Sequence, residues 1–192
     1  MSLSYVERRR FLWIVFLTGL VLLGMSAVLA NATTLVRMPF EDLAQQSTAV
    51  ARLRCLGAES RFDGREIWTE TRFEVLELDK GLLPGLVTIR MMGGRAGHLH
   101  SRIDGVPQFR VGEEVYLFLW NRRAGDAYTV LGWSQGTFRI ARNVDTGMEA
   151  VTQDSAMSSI FDPGTREFRR NGVRNLPVPL FRVKLHKALQ KN

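Results

Sequence analysis

Residues 109–120 read Phe-Arg-Val-Gly-Glu-Glu-Val-Tyr-Leu-Phe-Leu-Trp, and the alternation in their second half decides the fold class. Successive side chains of a strand face opposite ways, so Val115, Leu117 and Leu119 share one face while Tyr116, Phe118 and Trp120 share the other. Both faces are apolar. A strand buried on both sides needs cover on both sides, which predicts the central strand of a closed or sandwiched sheet with something packed outside it.

Upstream of this strand the pattern is β-hairpin grammar. Ala49, Ala51, Leu53 and Cys55 alternate with Arg52 and Arg54 over residues 49–58, which predicts a first strand with its polar face outward. Asp63-Gly64 supplies turn chemistry, and residues 67–78 return as a second strand. In that strand Thr69, Thr71, Phe73 and Val75 share one face, but Leu76 and Leu78 then take over the apolar positions. A parity flip of one residue is what a β-bulge produces, and bulges let a strand bend sharply. Val87, Ile89 and Met91 mark a third strand. Residues 93–106 carry four glycines and no sustained period, which predicts a long irregular loop.

Downstream, residues 128–131, 137–142 and 148–152 read as further short strands at hairpin spacing. Short strands at such spacing favour an antiparallel barrel over a parallel α/β sheet. Ahead of the first strand, residues 39–46 predict a short helix with an early proline, acidic residues in its first turn and Phe40, Leu43 and Ala44 on one face. At the other end, Phe181, Leu185 and Leu189 recur at helical spacing over 180–190, with Lys184, Lys187 and Lys191 crowding towards the helix end. The fold class expected is therefore mainly β: a small antiparallel OB-like barrel with a short N-terminal helix and a C-terminal helix packed outside.

The N-terminus reads as a targeting segment. Glu7-Arg8-Arg9-Arg10 precedes an apolar run over 11–29, followed by Ala30-Asn31-Ala32. Basic, apolar and small-residue regions in that order predict a secretory signal peptide cut before Thr33. The rival is an uncleaved anchor, since the run approaches the roughly 20 residues that span a bilayer. The organisation expected is a signal peptide at 1–32, a barrel domain at 33–155, and a basic linker with an amphipathic helix at 156–192. The protein is then exported, to the periplasm, the cell surface or the medium.

Net charge is +7 and there is one cysteine, Cys55. A lone cysteine makes no internal disulfide, so the exported chain relies on its core, and a buried thiol on a strand is the plain reading. The positive balance favours partners with acidic surfaces. The basic residues are scattered rather than striped, and with the export signal this argues against nucleic acid. Membrane contact is left open to two segments, the leader and the basic C-terminal helix.

With the strands laid out, two stretches carry a family likeness. They are Thr-Arg-Phe-Glu-Val-Leu-Glu-Leu-Asp-Lys-Gly at 71–81, ending in Lys-Gly, and the central strand with its Gly-Glu-Glu opening. Over residues 41–142 the chain resembles the netrin-like and tissue metalloproteinase-inhibitor group of OB-fold proteins, and more closely a set of uncharacterised exported bacterial proteins of the same grammar. The resemblance implies an OB barrel with a loop-lined face for ligands. In the inhibitor family a disulfide-fixed N-terminal cysteine chelates the protease zinc. This chain has neither that cysteine nor the disulfides. A free Thr33 amine is the one counterpart, with nothing in the sequence to hold it rigidly.

Candidate chemistry is sparse. His98 and His100 would point to one side of an extended segment and could share a metal, but two histidines are short of the usual ligand count, so no metal or cofactor is expected. Ser134, in Trp-Ser-Gln-Gly at 133–136, lacks the nucleophile-elbow pattern and reads as a turn residue. Glu113 and Glu114 are adjacent, so a strand sends them to opposite sides and they form no catalytic dyad. Gly93, Gly94 and Gly97 around Arg95 could cradle an anion, though they open no helix. Trp68 and Trp133 are either packing or stacking platforms.

The function expected is a non-enzymatic binding module for an envelope or secreted protein, or an acidic polymer. Its candidate residues are Arg95, His98, His100 and Trp133, with no catalytic residue. An inhibitor or accessory factor of a secreted protease is the narrower form. The alternatives are a small metal-dependent hydrolase using the His98/His100 loop and a membrane-associated structural protein.

Overall fold

A computed structural model describes Trp13 and residues 35–123, 125–170 and 172–190. The chain forms two compact units, Met1–Thr33 and Thr34–Asn192. The expected leader and its cleavage site lie outside the described residues except for Trp13, as do Thr33 and Lys191. Among the described residues no helix is long and apolar enough to cross a membrane.

The second unit is mainly β, with antiparallel sheets and two helices. Helix α1 (Phe40–Gln46) follows Pro39 and carries Glu41 and Asp42 in its first turn. Strands β1 (Ala49–Phe62) and β2 (Ile67–Lys80) form a long antiparallel hairpin through Asp63-Gly64. Strands β3 (Leu86–Met92), β4 (Gly94–Ala96), β5 (Leu99–Ser101), β6 (Glu114–Trp120) and β7 (Thr129–Val130) follow. A 3-10 turn (Trp133–Gln135) leads into β8 (Thr137–Arg142) and β9 (Glu149–Gln153). A second 3-10 turn (Asp154–Met157), the hairpin β10 (Ile160–Asp162) and β11 (Glu167–Arg169), β12 (Leu176–Pro177) and helix α2 (Val178–Leu189) complete the unit.

The main sheet runs β12-β9-β8-β6-β1-β2-β3, with β7 also paired to β6. Beyond the named strands, Ile89 bridges Tyr128 in parallel, and the Arg90 N–H donates to the Tyr128 carbonyl at 2.8 Å. The parity flip expected at Val75-Leu76 is a bulge. Arg52 pairs with Glu77 and Leu53 with Val75, leaving Leu76 as the extra residue. Further register shifts leave Asp79 and Leu56 unpaired in the same hairpin, so β1 and β2 bend several times along their length.

Strand β6 lies between two cores, as its sequence requires. On one face Val115, Leu117 and Leu119 pack with Leu53, Phe73 and Ile89. On the other, Tyr116 and Phe118 pack with Leu43 of α1, Phe138 of β8, and Phe181 and Leu185 of α2. Phe40 meets Phe118, Phe138 and Phe181 edge-on at 5.6, 5.7 and 5.9 Å. Edge-to-face contacts add to the roughly 1.5–3 kcal/mol of burial per large apolar side chain. Trp120 is the exception on the aromatic face, exposed at the strand end. Cys55 is buried in the first core, and burial, only partly offset by a backbone hydrogen bond, pushes its thiol up.

The Lys-Gly that ends β2 has a structural cause. Lys80 Nζ donates to the carbonyls of Ala44 and Gln45 at 2.7 and 2.8 Å, closing the C-terminal end of α1. Gly81 takes φ 81°, and a Cβ there would stand 2.2 Å from the Thr48 carbonyl oxygen. Only glycine lets the chain turn so close to the start of β1. Where the helices no longer cover the sheet, charge does. Arg52 reaches Glu114 and Glu149 at 2.9 and 3.1 Å, Arg54 bridges Glu114 and Glu74, and Arg182 of α2 meets Glu77 at 3.2 Å. Burial raises the Glu114 carboxyl, but the two arginines outweigh it and hold it below the ordinary range.

Three expectations are corrected. The central strand begins at Glu114, not Phe109, because residues 109–113 turn at Val111-Gly112 and roll Phe109 back onto Phe73, with ring centroids 5.1 Å apart. The first strand runs on to Phe62, past the end of its apolar alternation, because its outer half is held by pairing with β2 rather than by burial. Residues 93–106 are not an unbroken loop: β4 and β5 form a hairpin in which Arg95 stands opposite His100. Strands this short show no period, and the glycines around them carry no hydropathy signal. Residues 154–170 and 172–177 lie as a strap on the main sheet, with β12 paired to β9 and Phe161 bridged to Val36.

Candidate functional site

A cavity of about 240 Å³ lies between the outer halves of β1 and β2 and the β4–β5 hairpin. Its floor is the first core, through Met91 and Phe109; its walls are Ser60, Thr69, Thr71, Gly94, Arg95, His100 and Gln108. The paired outer ends of β1 and β2 run on past the packed layer, and on the cavity side they carry the hydroxyls of Ser60, Thr69 and Thr71. Ser60 Oγ and Thr69 Oγ1 are 2.8 Å apart, and Thr69 Oγ1 donates to the Gly93 carbonyl at 2.6 Å. This pair seats the hairpin. Gly94, at φ 130°, would drive a Cβ to 2.2 Å from Thr69 Oγ1, so a side chain there cannot coexist with the seat.

The structure divides the expected site residues. Arg95 and His100 face each other across the hairpin and both line the cavity. His98 lies in the two-residue turn at Gly97-His98, so it does not share an extended segment with His100, and the geometry expected for a shared metal is not formed. Both histidines are exposed. Among the described residues no group of three or more His, Cys, Asp or Glu side chains is placed to hold a metal ion. Trp133 lies away from the cavity, in a separate groove with Trp68 and Arg90.

Residues considered for catalysis have structural tasks. Ser134 is buried in a 3-10 turn, and its N–H donates to the Gly105 carbonyl at 2.8 Å. Glu113 and Glu114 do point apart: Glu113 pairs with Arg139, and Glu114 with Arg52 and Arg54. Arg139 is also bound by Asp154 through two hydrogen bonds, at 2.6 and 2.8 Å, and its guanidinium lies 5.6 Å from the Phe109 ring centroid. That cluster pins the turn beneath the cavity.

The segment ahead of α1 is held firmly. Arg37 N donates to the Phe161 carbonyl at 2.8 Å and its side chain pairs with Asp162 at 2.9 Å. Gln135 clamps the neighbours, accepting from Met38 N at 2.8 Å and donating to the Val36 carbonyl at 2.9 Å. Leu35 lies against Gly105, so this strap, the loop before β6 and the Trp133 turn are bound into one edge.

Sequence reading missed Ser60, Thr69 and Thr71 as site residues. The available signal was polarity on the wrong face: Thr69 and Thr71 share the inward side with Phe73, where a packed strand would carry aliphatic residues. Comparison of the chain with protein-family models, with curated proteins and with solved structures finds no match in any of the three.

Proposed function

We propose that the chain is an exported, non-enzymatic binding module of the cell envelope or extracellular space, built on an OB-like barrel and holding a partner segment at the hairpin cavity. The observation that carries this reading is a cavity of mixed polar and apolar lining that bears Arg95 and His100 and opens onto an apolar core. The barrel reading is supported by the paired run β3-β2-β1-β6-β7 and by one isolated parallel bridge, Ile89 to Tyr128, which brings the edge strand β3 back beside the start of β7 without a further strand pairing. Four antiparallel joints and one parallel joint suit a five-stranded OB arrangement. Bulges in β1 and β2 supply the bending that such closure demands.

Export rests on the leader, and mass spectrometry of the exported protein should find its N-terminus at Thr33; an intact leader would favour the anchored alternative. The partner is an envelope or secreted protein. A pull-down from envelope extract with wild-type and Arg95→Ala/His100→Ala bait should recover it with the first only. Its equal recovery by both would reject the cavity as the site.

A narrower reading, an inhibitor or accessory factor of a secreted metalloprotease, follows the netrin-like resemblance. It is favoured by the clamped strap at residues 35–38, whose first residue, Leu35, lies against Gly105 of the loop before β6. Assay of the cleaved protein against a panel of secreted metalloproteases tests it, and inhibition of none would discard it.

A further inference from the structure

The hairpin cavity contains one polar group that the protein itself does not satisfy. Along β2, Thr69, Thr71 and Phe73 share the inward face. Phe73 lies in the first core, and the Thr69 hydroxyl is engaged by Ser60 and the Gly93 carbonyl. Thr71 stands between them, where the core gives way to the cavity. It is 3% exposed and lines the cavity, yet among the described residues its hydroxyl has no hydrogen-bond partner. Buried hydroxyls are ordinarily paired, so this one marks where a bound group completes the site.

The floor around that hydroxyl is apolar and fixed from below. Met91 belongs to the first core, and Val106 and Phe109 pack against it. Met91 Sδ accepts from Thr129 Oγ1 at 3.1 Å and from the Val130 N–H at 3.4 Å. The Phe109 ring is held edge-on by Phe73 and covered by the Arg139 guanidinium. A floor tied in this way is formed before any ligand arrives. The rim is different. Arg95 reaches only the Gly97 carbonyl of its own turn, at 3.4 Å, and stands opposite His100. Among the described residues that line the cavity there is no Asp or Glu.

The occupant therefore needs an apolar body, a hydrogen-bonding tip that reaches Thr71, and negative charge left behind at the rim. A cavity of about 150 Å³ takes a benzene ring. At about 240 Å³ this one has room for a ring with a substituent. An aliphatic side chain or a phenylalanine would leave the Thr71 hydroxyl buried and unpaired. An indole carries its N–H on its flank and can only donate, whereas a phenol carries its oxygen on the ring axis and both donates and accepts. We propose that the partner segment held at this cavity inserts a tyrosine side chain, its ring on Met91 and Phe109 and its hydroxyl on Thr71, with an acidic residue next to it in sequence facing Arg95 and His100. The inference rests on the reading of the cavity as the partner site and names the side chain that fills it.

Nuclear magnetic resonance titration of the exported protein with p-cresol, toluene and indole tests the inner half of the site. p-Cresol should bind saturably, shift the signals of Thr71 and the Met91 methyl, and bind more tightly than the other two. Thr71→Val keeps the shape and removes the hydroxyl, so it should weaken p-cresol about tenfold, because the phenol is then buried unpaired, and leave toluene no weaker. Thr71→Ser keeps the hydroxyl and should keep the preference for p-cresol. Blocked peptides test the rim: Asp-Tyr-Asp should bind wild type more tightly than Gly-Tyr-Gly, and Arg95→Gln should remove the difference. No saturable binding of p-cresol, equal or tighter binding of toluene or indole, indifference of p-cresol to Thr71→Val, loss of its preference in Thr71→Ser, or equal binding of the two peptides would each overturn the proposal. Partner capture with Arg95→Ala/His100→Ala is read separately. A partner lost by that variant while the titrations fail keeps the cavity as the partner site and removes the tyrosine; a partner retained by it removes the cavity as the partner site, and the tyrosine with it, whatever p-cresol does.

Discussion

Strand β6 and the β4–β5 hairpin stand at opposite extremes of the same unit. Five consecutive residues of β6, Val115 to Leu119, are buried, and they feed two cores at once. In the hairpin every residue from Gly97 to His100 is exposed, and the strands are three residues long. Local stability follows buried apolar contact, so opening should cost most at β6 and least at the hairpin. The difference separates tasks: β6 gives the protein a fold and leaves no surface for recognition, while the hairpin contributes little to stability and can present Arg95 and His100.

The strongest way to break this contrast is at β6. Phe118→Ala should cost about 3–5 kcal/mol and Leu117→Ala about 2–5 kcal/mol, read by denaturant unfolding. Near-equal losses would mean that both cores depend on the strand; a negligible loss on the aromatic side would mean that the helices are ornamental to the sheet. Next comes Arg52, whose side chain is only 13% exposed between Glu114 and Glu149. Arg52→Met should cost about 1–3 kcal/mol, because two carboxylates are left facing each other in a partly buried place.

Gly94→Ala should cost about 1–3 kcal/mol, since the added carbon meets Thr69 and Ser60 in a backbone conformation that only glycine takes easily. The sharper readout is hydrogen exchange: protection should fall in β4 and β5 and hold in β6. Loss of protection throughout would show that the hairpin is part of the main cooperative unit. A pH effect separates the regions further. The Tyr116 phenol is pushed up to about 12 by burial and by the carboxylates of Glu77 and Asp79. Its folded value is raised, so the stability it carries is whole below the ordinary value of about 10 and is lost as pH rises towards 12. Ultraviolet titration should show a late ionising step that Tyr116→Phe removes.

The two regions also differed in how much the sequence disclosed. β6 was legible because alternation over seven residues is a strong signal, and because two apolar faces dictate two covers. The bulge at Leu76 was legible for the same reason, as a break in a period long enough to be seen. The hairpin was not. Its strands are too short for a period, and Gly94 is there for closeness to Ser60 and Thr69, contacts some 25 to 35 residues away in the chain that no local pattern encodes. The start of β6 was misplaced because Phe109 and Val111 continue the apolar run while Gly112 turns the backbone. Arg95 and His100 could be named as candidates from their loop composition.

Smallest in stability and largest in consequence is the pair at the cavity. Arg95→Ala/His100→Ala should change unfolding free energy by less than about 0.5 kcal/mol, as for exposed positions generally. The most direct measurement is therefore a quantitative pull-down from envelope extract with wild-type and Arg95→Ala/His100→Ala proteins, each with its thermal midpoint recorded. The expected result is a partner retained by wild type and lost by the variant at an unchanged midpoint; equal retention by both folded proteins would contradict the assignment of recognition to the hairpin cavity.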